Sequence, residues 1–215
     1  MTKRILDIAL GLTLLIFFAP VFIVIAVLIK LDSKGPVLFT QDRIGKDGVI
    51  FKMLKFRSMI EHADRSHIPH NATDVLRSGS IESPAELFSF SDDPRITKVG
   101  RVLRVASLDE LPQIINVLNG TMSFVGPRPP VFNELGDYKD FNETLKKRFK
   151  VKPGITGLAQ ISGRNDLNWD EKITLDNMYV EKYLEKGIWL DLVILFKTPY
   201  VVLFMKNTIE NRVEN

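Results

Sequence analysis

Asp109 and Glu110 stand side by side in Ser107-Leu108-Asp109-Glu110-Leu111-Pro112-Gln113, just ahead of an apolar helical stretch. A helix N-terminus keeps an aspartate ionised, and an ionised carboxylate is a competent nucleophile toward phosphorus. The adjacent carboxylate could share a divalent metal with it. Magnesium is held by one or two carboxylates plus substrate phosphates, and it screens two anions as they approach each other. The same spacing also has a purely structural meaning: Ser107 with Glu110 three residues on is a capping box, and acidic residues suit a first turn. Pro112 is accommodated only near the start of a helix, so the helix is expected to begin here.

Gly126-Pro127-Arg128-Pro129-Pro130 is the second such stretch. Pro127 and Pro129 lock the backbone on either side of Arg128 and present its guanidinium pre-organised, as bidentate phosphate recognition requires. A proline-rich turn with an exposed arginine, or a polyproline-type peptide ligand, has the same composition. The third stretch runs from Lys152 to Asn165 and includes Pro153-Gly154-Ile155-Thr156-Gly157 and Gly163-Arg164. Its glycines, hydroxyls and cations would suit an anion-binding loop or an ordinary turn-rich connector. Glycine spacing and lysine position match neither the P-loop nor the dinucleotide fingerprint.

These residues need elements to carry them. Ile8 to Ile29 contains no charged residue, and its roughly 22 residues would reach about 33 Å as a straight helix, enough for a bilayer core of about 30 Å. It is too long for a signal peptide and lacks a small-residue cleavage site. Ala19-Pro20 lies near its middle, where proline removes a donor and predicts a kink. Lys3 and Arg4 precede the run while Lys30 and Lys34 follow it, so the positive-inside rule would keep both ends on the cytoplasmic side. Two courses stay open, a spanning helix and a re-entrant helix-break-helix. Either holds the protein at a membrane.

Beyond the anchor, assigned residues 1–34, residues 35–215 are expected to form a cytoplasmic domain. Val37–Ile44 and Val49–Leu54 flank Gly45-Lys46-Asp47-Gly48, a β-hairpin signal. Residues 60–92 look like a polar surface excursion. It holds His62, His67 and His70 without an accompanying metal-ligand cluster, and an Asn71-Ala72-Thr73 glycosylation pattern that a cytoplasmic site would never use. Residues 101–118 have a helical period interrupted around Ser107, Lys139–Lys150 suits a basic exposed helix, and Leu167–Leu184 suits an amphipathic one. Ile188–Met205 is apolar but contains Asp191, Lys197 and Pro199, which makes it a poor spanning helix; it would either pack in the core or, as favoured here, lie in partial contact with a membrane surface. The fold class expected is α+β, mostly helical.

The chain of 215 residues is 45% hydrophobic, with 29 basic against 26 acidic residues and a net charge of +3. Those figures exclude a disordered tail, a collagen-like fibre and a multi-span transporter. With 0 cysteines there is no disulfide framework, thiolate zinc site or catalytic thiol. No nucleic-acid partner is expected.

Taken in order, the motifs resemble one family. They are the Lys-Arg-prefixed anchor with its central proline, Gly35-Pro36-Val37 with Gln41-Asp42-Arg43-Ile44-Gly45, Lys55-Phe56-Arg57-Ser58-Met59, Asp93-Pro94-Arg95-Ile96-Thr97, Arg104 with Ser107 to Gln113, Gly126-Pro127-Arg128-Pro129, and Pro153-Gly154-Ile155-Thr156-Gly157. The chain is similar to the small bacterial sugar transferases, monotopic phosphoglycosyl transferases that start glycan assembly on a polyprenyl phosphate. The resemblance covers nearly the whole chain. It departs from the family at Ala19, where a serine commonly precedes the break proline.

What the resemblance implies is transfer of sugar-1-phosphate from a UDP-sugar to undecaprenyl phosphate, with release of UMP, at the bacterial inner membrane. Asp109 matches the nucleophile that would form a phosphosugar-aspartyl intermediate. Glu110 matches its partner in the dyad, with a role in metal positioning, so the cofactor implied is Mg2+. Arg104, Arg128 and Arg164 match arginines expected around the phosphates, with Pro127 and Pro129 framing the second of them and Lys55 and Arg57 as further candidates. Two other classes remain: a membrane-tethered, metal-dependent nucleotide-sugar pyrophosphatase, and a non-catalytic scaffold.

Overall fold

A computed structural model describes residues 2–60, 93–135, 137–163 and 167–204. His62, His67, His70, the Asn71-Ala72-Thr73 pattern and Arg164 lie outside the described residues. The chain divides into two compact units, one of Met1–Phe18, Thr40–Leu54 and Pro112–Asn215, the other of Ala19–Phe39 and Lys55–Leu111. The anchor helix α1, Thr2–Asp32, is shared between them, with Pro20 inside it. Helix α1 is long and apolar enough to cross a membrane, and only 11% of its most apolar 18-residue window is buried.

In the first unit, the start of α1 is fixed by polar side chains. Lys3 Nζ donates to Asp191 at 2.5 Å, to the Tyr179 hydroxyl at 3.1 Å and to Val125 O at 3.0 Å. Asp7 accepts from Ser123 Oγ and from the Phe124 amide. Strand β1, Leu38–Ile44, pairs with β2, Ile50–Phe56, as the expected hairpin. Past helices α2, Lys98–Val105, and α3, Gln113–Asn119, come strand β3, Ser123–Val125, the short helices α4, Phe132–Leu135, and α5, Glu143–Lys147, and strand β4, Gly154–Thr156. Of these, α2 belongs to the second unit. Arg4 donates to Val117 O, which also accepts from the Gly120 amide, and to Leu118 O, both carbonyls of the last turn of α3.

Strands β3 and β4 pair in parallel, Ser123 opposite Gly154 and Val125 opposite Thr156. Three-residue strands have no periodicity to detect, so the sequence does not predict them. Helix α6, Leu158–Ser162, follows β4. Helix α7, Trp169–Lys186, opens with a capping box between Asn168 and Glu171. Helix α8, Ile188–Phe204, carries Pro199. The unit's core includes Val117, Met122, Val125, Tyr179, Val180 and Ile194, with a second cluster of Ile44, Phe141 and Phe149.

The basic helix expected over Lys139–Lys150 is three short pieces instead: a 3-10 turn at Tyr138–Asp140, α5 capped by Asn142, and a second turn at Arg148–Lys150. Arg148 and Phe149 are buried rather than exposed. Packing of Phe149 against Tyr138 and Phe141 outweighs the high charge of that run.

In the second unit, Ile25 and Ile29 of α1 form a core with Phe56 and Leu103. Arg57 is buried, and its Nη2 donates to Ile29 O at 3.3 Å and Ser33 O at 2.6 Å, closing the C-terminal end of α1. Helix α2 is capped by Thr97, whose hydroxyl accepts from the Gly100 amide at 2.9 Å. Asp32 Oδ2 accepts from the Val99 amide. A Cβ at Gly100 would lie 2.0 Å from Ser58 O, so only glycine lets α2 approach the chain there.

Candidate functional site

Asp109 and Glu110 sit in a 3-10 turn, Leu108–Glu110, in the second unit. The capping box expected from Ser107 and Glu110 is not formed. Ser107 is in the left-handed region at φ 54°, ψ 21°, and its side chain caps nothing. The helix starts later, at Gln113, with Pro112 in the capping position. Apolar packing decides this: Leu108 and Leu111, on either side of the two carboxylates, pack against the Ile25, Ile29, Phe56 and Leu103 cluster. A serine held at positive φ costs about 1 kcal/mol and persists only where its surroundings over-determine it.

Each carboxylate has a cation for a neighbour. Lys55 Nζ lies 3.3 Å from Glu110 Oε1, with side-chain exposures of 17% and 20%. Arg104, half-buried, is electrostatically coupled to Asp109 and Asp93; burial lowers its proton affinity and those two carboxylates raise it. Arginine stays charged under either influence. Asp93 and Arg95 form a two-pronged pair, Nε to Oδ1 at 2.9 Å and Nη2 to Oδ2 at 2.7 Å. The Arg95 guanidinium holds the Asp93 carboxyl below its ordinary range, against the opposing effect of burial. The turn thus offers two half-buried carboxylates in a field set by Lys55, Arg104 and the Asp93–Arg95 pair. Arg57, by contrast, is engaged with the end of α1.

The metal question turns on the donor set. Among the described residues no group of three or more His, Cys, Asp or Glu side chains gathers. A two-carboxylate pair completed by phosphate oxygens and water is nonetheless how magnesium is commonly held, so the dyad fits that ion and not a structural zinc or calcium cage.

Arg128 belongs to the first unit, where it is exposed between buried Pro127 and Pro129. Its turn is tied down through successive backbone carbonyls. Pro127 O accepts from the Gly154 amide at 2.9 Å and Pro130 O from the Ile44 amide at 3.2 Å. Arg128 O accepts from Arg148 Nη2 at 2.8 Å, and Pro129 O from Arg43 Nη1 at 2.9 Å. The pre-organisation expected from the prolines is therefore supplied equally by their surroundings.

The glycines of the third stretch serve backbone packing. A Cβ at Gly154 would lie 2.1 Å from Gly126 N, and one at Gly157 2.2 Å from Gly126 O. Gly154–Thr156 is strand β4 rather than an open anion-binding loop. From sequence, Arg148 is one more solvated cation in Lys146-Lys147-Arg148, and Asp93 and Arg95 have no assigned role. The i, i+2 spacing of opposite charges around Pro94 was the available signal.

A family profile described as bacterial sugar transferase matches residues 1–205. The chain is 42% identical over 200 residues to the UDP-glucose:undecaprenyl-phosphate glucose-1-phosphate transferase of Escherichia coli K12, covering 92% of this chain and 39% of that protein. It is 41% identical over 201 residues to the undecaprenyl-phosphate galactose phosphotransferase of Salmonella typhimurium, covering 94% and 40%. It is 40% identical over 209 residues to the exopolysaccharide production protein ExoY of Sinorhizobium fredii, covering 94% and 86%. The chain thus spans about two-fifths of the first two and most of the third.

Proposed function

The chain belongs to the bacterial sugar transferase family, and from that premise we propose that it moves a sugar-1-phosphate from a UDP-sugar to undecaprenyl phosphate through a covalent bond to Asp109. A carboxylate oxygen of Asp109 attacks the β-phosphorus of the UDP-sugar. The bond from that phosphorus to the bridging oxygen breaks, and UMP leaves with the oxygen. A phosphate oxygen of undecaprenyl phosphate then attacks the same phosphorus, the bond to Asp109 breaks, and the lipid diphosphosugar departs. Both attacking groups are already anions, so neither step needs a general base. Two displacements let one pocket take donor and acceptor in turn, avoiding a single complex of two anions.

The observation that carries this reading is the dyad turn: two adjacent carboxylates, half-buried, each beside a cation. Lys55 and Arg104 would offset the repulsion an incoming diphosphate would meet at the two carboxylates. Asp109 and Glu110 would hold Mg2+, which when bound neutralises charge on the diphosphate. Arg128, and Arg164 by its motif, would recognise phosphate oxygens. Arg57 serves as a positioning residue that fixes the end of the anchor beside the strand bearing Lys55.

Membrane attachment follows from α1, where Ile16, Phe17 and Leu31 are 75%, 72% and 80% exposed. The course of α1 is re-entrant in this reading. Lys3 near its start is bonded to Asp191, and Ile29 and Ser33 near its end are bonded to Arg57. Between Arg57 and Asp191 the sequence has no second apolar run long enough to span. In this reading α1 enters from and returns to the cytoplasmic face, where the UDP-sugar is taken up. Because Lys3 and Arg4 have internal partners, they are no longer loop charges for the positive-inside rule to count. On α8, Trp189 and Phe196 are 73% and 84% exposed and would rest at the lipid interface.

Purified protein given magnesium, undecaprenyl phosphate and a panel of UDP-sugars should release UMP well beyond one enzyme equivalent, only when the lipid is present. Donor alone should leave a phosphosugar adduct on Asp109, detected by intact and peptide mass spectrometry. Lipid-independent turnover would instead identify a pyrophosphatase, and no turnover with any donor a scaffold.

A further inference from the structure

Prolines at 127, 129 and 130 have no amide hydrogen, so the turn bearing Arg128 can be gripped chiefly through its carbonyls. All of the carbonyls from Pro127 to Pro130 are hydrogen-bonded, the outer pair by main-chain amides and the inner pair by arginines. We propose that Arg148 and Arg43 are positioning residues for phosphate recognition, holding the inner carbonyls of this turn so that Arg128 is presented to a substrate phosphate in one conformation. The inference rests on the assignment of Arg128 as a phosphate ligand.

The setting of Arg148 supports a positioning role over a merely stabilising one. It is 3% exposed, and the nitrogen that bonds Arg128 O also lies 2.7 Å from Asp176 Oδ2, itself on a residue 1% exposed. The guanidinium carbon is 5.0 Å from the Trp169 ring centre and 5.6 Å from that of Phe149. Burial pushes the Asp176 carboxyl up to about 6 and lowers the proton affinity of Arg148, so pairing only partly offsets desolvation. Such a pair is a poor source of stability, and well-packed apolar residues commonly replace one without loss of the fold. What apolar residues cannot do is donate to Arg128 O. Lysine keeps the charge but loses the planar fork and the ring stacking that fix its direction. Arg43 does the same task at Pro129 O while also donating to Gln41 Oε1 at 2.6 Å.

The test is a double-mutant cycle read with UDP as the probe. Arg148→Met combined with Asp176→Leu keeps the volume apolar and should leave the unfolding midpoint near that of the parent, while weakening the dissociation constant for UDP roughly tenfold. In an Arg128→Ala background the same pair of changes should weaken it less than about twofold, because the residue being positioned is gone. Equal losses in both backgrounds, or no loss in the parent, would overturn the proposal. Hydrogen exchange gives an independent readout. The amides of Ile44 and Gly154, which donate to Pro130 O and Pro127 O, should exchange faster in Arg148→Lys and in Arg43→Lys. Unchanged exchange there refutes the positioning role. If Arg128→Ala leaves UDP binding intact while those amides exchange faster, the phosphate assignment of Arg128 fails and the hold on the turn stands.

Discussion

Two turns carry Asp109 with Glu110 and Arg128, and they are made rigid in opposite ways. The turn of Asp109 and Glu110 is held by apolar packing of Leu108 and Leu111 and tolerates a serine at φ 54°. The turn of Arg128 has prolines that restrict its own dihedrals, and its carbonyls are held from outside by Gly154, Arg148, Arg43 and Ile44. The difference suits the roles proposed for them. A nucleophile must reach phosphorus and later release it, so a short turn between two leucines would give it a firm base. An arginine that recognises phosphate gains most from having one conformation before the ligand arrives.

The largest test of the contrast is Asp109→Asn, which should lower kcat by at least about a thousandfold and abolish the mass adduct while leaving the fold intact. Residual turnover at a tenth of the parent rate would remove Asp109 from the nucleophile's role. Gly126→Ala attacks the other turn at its base. The new Cβ would lie 2.4 Å from Lys152 O, and chemical denaturation should show about 3 kcal/mol of lost stability. Arg128→Lys leaves that base alone and should weaken UDP binding roughly tenfold, about 1.4 kcal/mol, with an unchanged unfolding midpoint.

Asp93→Asn probes the field around the dyad by pH. Because Arg95 holds the folded Asp93 carboxyl below its unfolded value of about 3.9, its stabilisation is complete above that pH and lost as pH falls through the lower folded value. The variant should therefore be less stable at neutral pH, by about 1–2 kcal/mol, and show a flatter acid limb in urea titrations. An unaltered limb would show that the pair contributes nothing there. Ser107→Gly should have the smallest effect, raising stability by about 0.5–1 kcal/mol as the positive-φ strain is relieved. Assayed beside it, kcat should fall if the strain keeps the carboxylates in place. A lower unfolding midpoint would mean that the serine is not strained.

Much of the architecture was legible because it depends on local patterns. The uncharged run from Ile8 to Ile29 predicts α1, the Gly45–Gly48 segment predicts the hairpin, and the period of Leu167–Leu184 predicts α7 within two residues at each end. The dyad and the Arg128 turn were visible as residue types at set spacings, and their order along the chain led to the family. Partners distant in sequence were not visible. Lys3 reads as a topogenic charge and is bound to Asp191, and nothing near Arg57 in the sequence signals that it donates to the carbonyls at the end of α1.

Composition and periodicity therefore determined that this chain has a long apolar helix, a mostly helical remainder and two adjacent carboxylates just ahead of a helix, since each follows from neighbours a few residues apart; phosphorus chemistry at that pair is what the family resemblance implied. Only the tertiary structure decided how those groups are held. The left-handed Ser107, the parallel pairing of β3 with β4, and buried Arg148 joining Asp176 to the Arg128 carbonyl all arise where distant segments meet. Desolvation and packing act on three-dimensional neighbours, and a linear pattern does not encode which those will be.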